Sequence, residues 1–376
     1  MNALLDTVDP DGLLEYSVVF TDRSLNHMSG TFQGVMWDIS AMLKEVYRAS
    51  HVAVIPGGGT FAMEAVARQF AGDQDVLVVR NGWFSFRWSQ ILDAAKIARE
   101  VTVIKARPMG NSAQSPYAPP PIEEVTAQIR ARRPGIVFAP HVETSAGIIL
   151  PDDYIAALAE AAHEVDALLV LDCIASGTIW VDMAATGVDV LISAPQKGWS
   201  AQPCAGLVMM SDRAKARMEE TQSSSFAADL KGWAGIMAAY EAGGHAYHAT
   251  MPTDALRVFR DTMLETRAYG FERLKAAQWE LGNGVRAMLA EKGIRSVAAD
   301  GFGAPGVVVC YTDDPAIKSG AKFMELGIQI AAGVPLRVDE PDSFMTFRIG
   351  LFGLDKLYDV PAALARLQDG IDRVFP

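Results

Sequence analysis

The sequence predicts an α/β fold: a mostly parallel seven-stranded sheet with helices on both faces, followed by a smaller C-terminal α+β domain. Three features predict it. Short, almost continuous apolar runs recur between residues 51 and 210, as strands buried on both faces require. Helical periods lie between several of these runs, which is the alternation that builds a parallel sheet. After Met251-Pro252 the pattern changes to a long helical stretch, and then to short strands alternating with helices.

Residues 1–30 carry no clean period and read as an extended N-terminal arm. Residues 32–48 read as an amphipathic helix, because Val35, Ile39, Leu43 and Val46 fall at helical spacing. Strands are expected at 51–55, 76–79, 101–104, 135–139, 168–172, 188–193 and 206–210, and helices at 60–70, 122–132 and 152–164. The run around Val208-Met209 comes directly after a short polar turn, so an antiparallel return is open there. Residues 108–121, rich in Pro, Ser and Gly, read as a surface loop. Thr253 or Asp254 is expected to cap a helix running to about residue 292, with strands to follow at 307–311, 328–331 and 345–349. The division is therefore an arm (1–30), a large domain (31–264) and a small domain (265–376).

Composition narrows the function. Of 376 residues, half are hydrophobic and 21% are charged, which is ordinary for a globular chain. The net charge of −12, without a run of Lys or Arg, makes nucleic acid and anionic membranes poor partners. No basic and then apolar leader opens the sequence, and no window approaches a bilayer span. Cys173, Cys204 and Cys310 lack paired spacing and read as reduced, buried thiols of a cytoplasmic protein.

The chemistry gathers at strand ends. Lys197 closes the polar turn after the apolar run at 188–192, and Asp172 ends the run at 168–171. Two parallel strands deliver this amine and this acid to one sheet edge, where open α/β sheets bind ligands. The pair suits pyridoxal phosphate: the lysine forms an imine with its aldehyde, and the aspartate keeps the pyridine nitrogen protonated. Asp172 also reads as a helix cap, and apolar residues before it make an unpaired carboxylate costly.

Pro56-Gly57-Gly58-Gly59-Thr60 follows a strand and opens a helix. It reads either as a tight turn or as a phosphate cradle built from backbone N–H groups and the Thr60 hydroxyl. Glu143-Thr144-Ser145 offers hydroxyls for a ring oxygen or for a capped turn. Asn81-Gly82-Trp83-Phe84-Ser85 offers an aromatic face for a flat ring, or a core aromatic. Arg348 stands in the apolar run Phe347-Arg348-Ile349 and needs a carboxylate, from a substrate or from a structural salt bridge. His245 and His248 have no third ligand nearby, so no metal is expected.

With these residues in order, the chain resembles class V pyridoxal-phosphate aminotransferases of fold type I, and within them the alanine–glyoxylate and serine–pyruvate aminotransferase group. The resemblance spans about residues 30–365. It rests on Gly58-Gly59-Thr60, Asn81-Gly82, Glu143-Thr144-Ser145-Ala146-Gly147, Asp172, Gln196-Lys197, Tyr247-His248-Ala249-Thr250 and Phe347-Arg348-Ile349-Gly350. It implies that Lys197 is the Schiff-base lysine of a ping-pong transamination between a small amino acid and a 2-oxo acid, glyoxylate or pyruvate. It also implies that Asp172 pairs with the ring nitrogen and that Phe84 or Trp83 stacks on the ring, Phe84 being the aligned residue. Gly58, Gly59, Thr60 and Gln196 would hold the phosphate, Ser145 would lie near the ring hydroxyl, and Arg348 would bind the substrate carboxylate. A homodimer is implied, with Tyr247 and Thr250 reaching the neighbouring subunit's phosphate. The family's Gly-Pro-Gly-Pro segment is absent; Tyr16-Ser17-Val18-Val19-Phe20-Thr21-Asp22 and Asn26-His27-Met28 stand instead. Pro195 replaces a small or hydroxyl residue before Gln196. The competing reading is another reaction on the same cofactor, a lyase or a cysteine desulfurase.

Overall fold

Seven apolar runs form the central sheet. They are β1 (His51–Pro56), β2 (Asp75–Arg80), β3 (Glu100–Lys105), β4 (Ile136–Pro140), β5 (Leu168–Asp172), β6 (Val190–Ser193) and β7 (Ala205–Met210). The computed structural model describes residues 16–18, 20, 21 and 24–376, so the leader expectation and much of the 1–30 arm, Val19 and Asp22 included, lie outside it. Strand order is β1-β7-β6-β5-β4-β2-β3. The interior strands β4 to β7 are buried at every residue, as strands covered on both faces must be. β3 is an edge strand, carries charges at both ends and is mostly half-exposed.

Direction fixes where chemistry can occur. β1 and β6 both run antiparallel to β7, and the remaining neighbours are parallel. Six strands therefore point one way, and their C-terminal ends share one sheet edge. Register aligns Asp172 of β5 with Ile192 of β6 and with Pro140 of β4.

Helices cover both faces: α1 (Gly30–Tyr47), α2 (Gly59–Phe70), α3 (Trp83–Ala94), α4 (Ile122–Arg132), α5 (Asp152–Glu164) and α6 (Leu230–Glu241). α3 and α6 are additions to the expected set. The expected helix from residue 253 to about 292 is two helices, α7 (Thr253–Tyr269) and α8 (Phe271–Glu291). Gly270, at φ 107°, breaks them apart, a conformation that only glycine adopts without strain. Neither expected cap acts as one: Pro252 occupies the N-cap and Thr253 is already helical. Asp254 instead accepts from Ser24 Oγ (3.2 Å) and the Leu25 amide (3.3 Å), tying the arm to α7.

The C-terminal part forms a three-stranded antiparallel sheet from β8 (Val307–Tyr311), β9 (Ala331–Ala332) and β10 (Thr346–Gly350), in the order β8-β10-β9. α8 packs on the closing helix α9 (Val360–Val374). The strand expected at 328–331 shrinks to Ala331–Ala332, because Ile328 and Ile330 turn onto the apolar core of this part. Most buried apolar side chains up to Met263 belong to one core, and many from Leu274 onward form a second. A third cluster, joining Tyr117, Val142 and Ile148 to Val297, Val307 and Leu336, lies between them. That junction brings β10 over the sheet edge. Among the described residues, no helix is long and apolar enough to cross a membrane.

Candidate active site

Of the six co-directional strands, five (β1, β2, β4, β5 and β6) are followed at this sheet edge by segments that line one cavity. After β1, Gly57 takes φ 122° and lets the backbone turn sharply into α2. After β6, the segment to Lys197 is stapled by Ala201 N donating to Pro195 O (3.1 Å) and Ser200 N donating to Lys197 O (3.2 Å). Gly198 sits so close to Gly177 that a Cβ would fall 1.9 Å from its carbonyl oxygen. Trp199 is fully buried, with its ring 4.8 Å from that of Trp180 and near Phe259 and Phe271. Lys197 is thus held by its neighbours on both sides.

One cavity of about 390 Å³ gathers Gly59, Thr60, Phe84, Asp172, Gln196 and Lys197 from this sheet edge and Arg348 from β10 of the C-terminal sheet. Asp172 is buried and accepts one hydrogen bond, from the Ile174 amide at 2.9 Å. Burial, with a smaller push from Glu143, raises its carboxyl pKa to about 7. Burial, and then Arg348, depress the Lys197 pKa. The Lys197 amine lies 5.3 Å from the centre of the Phe352 ring. Arg348 donates from Nε to Ala332 O (2.8 Å), and its guanidinium lies 5.6 Å from the Phe84 ring. It makes no ion pair among the described residues, so the structural salt bridge considered for it is absent there.

Four expected residues lie elsewhere. Gly58 is the N-cap of α2 and is not on the cavity wall. Ser145 is fully buried because its hydroxyl is consumed: it donates to Glu143 (2.7 Å) and accepts from the Trp83 amide (2.9 Å). Its neighbour Thr144 lines the cavity in its place. Tyr247 and Thr250 bond each other through their hydroxyls (3.2 Å) on an exposed loop away from this cavity. Between the two candidate rings, Phe84 lines the cavity, whereas Trp83 lies under the Arg337 guanidinium at 5.2 Å.

Sequence reasoning missed Arg87, Phe352 and the role of Glu143. Arg87 also lines the cavity, and its Nη1 donates to Thr60 Oγ1 at 2.9 Å. Arg87 stands three residues after Phe84, and the helix starting at Trp83 puts both on one face. The Glu143 carboxylate accepts the amides of Phe84 (3.1 Å) and Ser85 (2.9 Å) in the first turn of α3, where a negative charge is favoured. His248 Nε2 meets Phe226 O (2.8 Å), and no group of three metal-ligating side chains assembles among the described residues.

Residues 13–297 match the model of the aminotransferase class-V family. The chain belongs to that family. It is a pyridoxal-phosphate-dependent transferase catalysing transamination. Among curated proteins it is similar to the soluble hydrogenase small subunit of Synechococcus sp. (strain PCC 6716), with 26% identity across 92% of this chain and 86% of the relative. It is also similar to the alanine–glyoxylate aminotransferase of Oryctolagus cuniculus, at 24% identity across 88% of this chain and 82% of the relative. Among solved structures, an aspartate aminotransferase of subgroup IV from Thermus thermophilus superposes with a TM-score of 0.76 and 25% identity, covering 93% of both chains.

The residues fit the cofactor. Asp172 is a buried carboxylate without a cation in contact, a deficit that a protonated pyridine nitrogen fills. The Gln196 side-chain carbonyl is buried and makes no hydrogen bond, so this amide is free to turn toward a ligand. The first turn of α2 presents backbone donors beside the Thr60 hydroxyl, a natural anion site.

Proposed function

We propose that this chain transfers the amino group of a small amino acid, alanine or serine, to a 2-oxo acid such as glyoxylate or pyruvate, as a cytoplasmic homodimer. The observation that carries the reading is the single cavity shared by Lys197, Asp172 and Arg348: one amine, one acid and one carboxylate receptor. Pyridoxal phosphate, when bound, supplies an aldehyde carbon that exchanges amines and a ring that takes up electron density. Asp172 holds a proton at the ring nitrogen. Its carboxylate, costly alone in this setting, becomes favourable once paired there.

Lys197, its pKa depressed by burial and then by Arg348, takes and returns the proton at the donor's α-carbon. Arg348 would receive the donor carboxylate, and Phe84, which lines the cavity, would offer its aromatic face to the ring. Gly59, Thr60 and Gln196 would hold the phosphate end, and the Thr144–Ser145 turn would lie toward the ring hydroxyl, with Thr144 lining the cavity. Release of the first 2-oxo acid before the second binds gives ping-pong kinetics.

The dimer is supported by apolar exposure. Trp37, Phe61, Phe226 and Tyr247 are each more than half exposed. On this reading Tyr247 and Thr250 serve the neighbouring subunit's phosphate. The three free, buried cysteines suit a reducing cytoplasm. Burial also raises Cys204 to about 11 and Cys310 to about 12, leaving no thiolate for desulfurase chemistry near pH 7.

The test is a panel of alanine, serine and aspartate against glyoxylate and pyruvate, with 2-oxo acid, ammonia and sulfide followed together. Alanine or serine paired with either acceptor should turn over. Turnover of aspartate alone, or release of ammonia or sulfide without an acceptor, would overturn the substrate assignment.

A further inference from the structure

The cavity holds more positive charge than the proposed function uses. Lys197, Arg87 and Arg348 line it, against the single carboxylate of Asp172. Lys197 serves the chemistry and Arg348 the substrate carboxylate, which leaves Arg87 without a task. It makes no ion pair among the described residues. Its Nη1 donates to Thr60 Oγ1 at 2.9 Å, so it stands at the glycine turn, and its guanidinium lies 5.6 Å from the Phe84 ring.

The other groups at that end are neutral: backbone amides, the Thr60 hydroxyl and the Gln196 amide. A phosphate dianion held by neutral donors alone, in a half-closed cavity, lacks a compensating charge. We infer that Arg87 is the cationic phosphate anchor of the bound cofactor, with Thr60 as the hydroxyl that orients its guanidinium. This rests on the cofactor occupying the cavity. A fork-shaped guanidinium suits a phosphate better than an ammonium does, because it donates two parallel hydrogen bonds.

Phosphate recognition can be separated from ring recognition by comparing pyridoxal phosphate with pyridoxal, which lacks the phosphate. Equilibrium binding to cofactor-free protein is measured by absorbance and tryptophan fluorescence, for wild type, Arg87→Gln and Arg87→Lys. Gln keeps a donor for Thr60 but carries no charge. Arg87→Gln should weaken pyridoxal phosphate by roughly 10- to 100-fold and leave pyridoxal unchanged, since the lost contact is charge-assisted. Arg87→Lys should fall between Gln and wild type.

Unchanged affinity for pyridoxal phosphate, or equal weakening of both ligands, would overturn the assignment. Failure of wild type to bind either ligand would instead refute occupancy of this cavity by the cofactor, and the assignment with it. A melting curve of each cofactor-free variant identifies a folding defect. Should Arg87→Gln melt early, inorganic phosphate decides on wild type and Arg87→Lys. Wild type must gain more melting temperature from phosphate than Arg87→Lys does, and an equal gain overturns the proposal.

Discussion

Asp172 and Lys197 carry the proposed chemistry, and Asp172 has a titration consequence. Asp172 has its pKa raised to about 7 in the cofactor-free fold, against about 4 when unfolded. Between those values the folded state binds more protons than the unfolded one, so this group's contribution is lost as pH rises from 4 to 7. Asp172→Asn should therefore stabilise the cofactor-free protein at pH 8, by roughly 2–4 kcal/mol at most, with the gain vanishing near pH 4. Melting curves at the two pH values check this; a gain independent of pH would contradict it. The same substitution should cripple transamination, since an amide cannot hold the ring proton.

Arg348→Lys keeps the charge but loses the fork. It should raise KM for the amino donor by about 10-fold or more, with cofactor binding unchanged by titration.

At this scale the sequence was informative about position and weak about direction. Lys197, Asp172 and Arg348 were legible because charges beside apolar runs demand a reason. Ser145 and Thr144 could not be told apart, since their difference lies in Glu143, which takes the Ser145 hydroxyl, while Thr144 lines the cavity.

At the scale of elements, two devices set the site's geometry. The first is the Glu143 carboxylate at the start of α3, which accepts three backbone amides, those of Phe84, Ser85 and Ser145, and the hydroxyls of Ser85 and Ser145. Glu143→Gln turns an amide donor toward those N–H groups and should cost about 2–3 kcal/mol. Because α3 carries Phe84 and Arg87, cofactor affinity should fall with it. Denaturant melts with a parallel cofactor titration would show both; loss of stability with full affinity would separate the helix from the site.

The second device is the Gly198–Gly177 contact behind Lys197. Gly198→Ala forces a methyl against a carbonyl and must displace the Lys197 loop. Activity should drop by roughly 100-fold or more, while melting temperature moves little if the strain is relieved in the loop. The core strands were readable because strands buried on both faces appear as unbroken apolar runs. α3 was not, because its first turn, Trp83-Phe84-Ser85-Phe86, shows no helical period. The break at Gly270 escaped because a lone glycine is tolerated within a helix, and only its φ reveals the turn.

For the whole molecule, the relative placement of the two parts was the least legible feature. It depends on pairings across long stretches of sequence, such as Tyr117 N donating to Val297 O (2.7 Å) and Ile149 N donating to Phe302 O (2.8 Å), which no local pattern records. Those pairings carry Arg348 and Phe352 to the sheet edge, so the site exists only in the assembled fold. The proposed dimer extends the argument. Sedimentation should give twice the 40.5 kDa chain mass, and Tyr247→Ala should weaken cofactor binding without dissociating the pair. A fully active monomer would contradict it.

The most direct measurement is borohydride reduction of the cofactor-loaded protein, followed by peptide mass mapping. The account predicts a single pyridoxyl-phosphate adduct on the peptide containing Lys197. An adduct on any other lysine, or none at all, would contradict it.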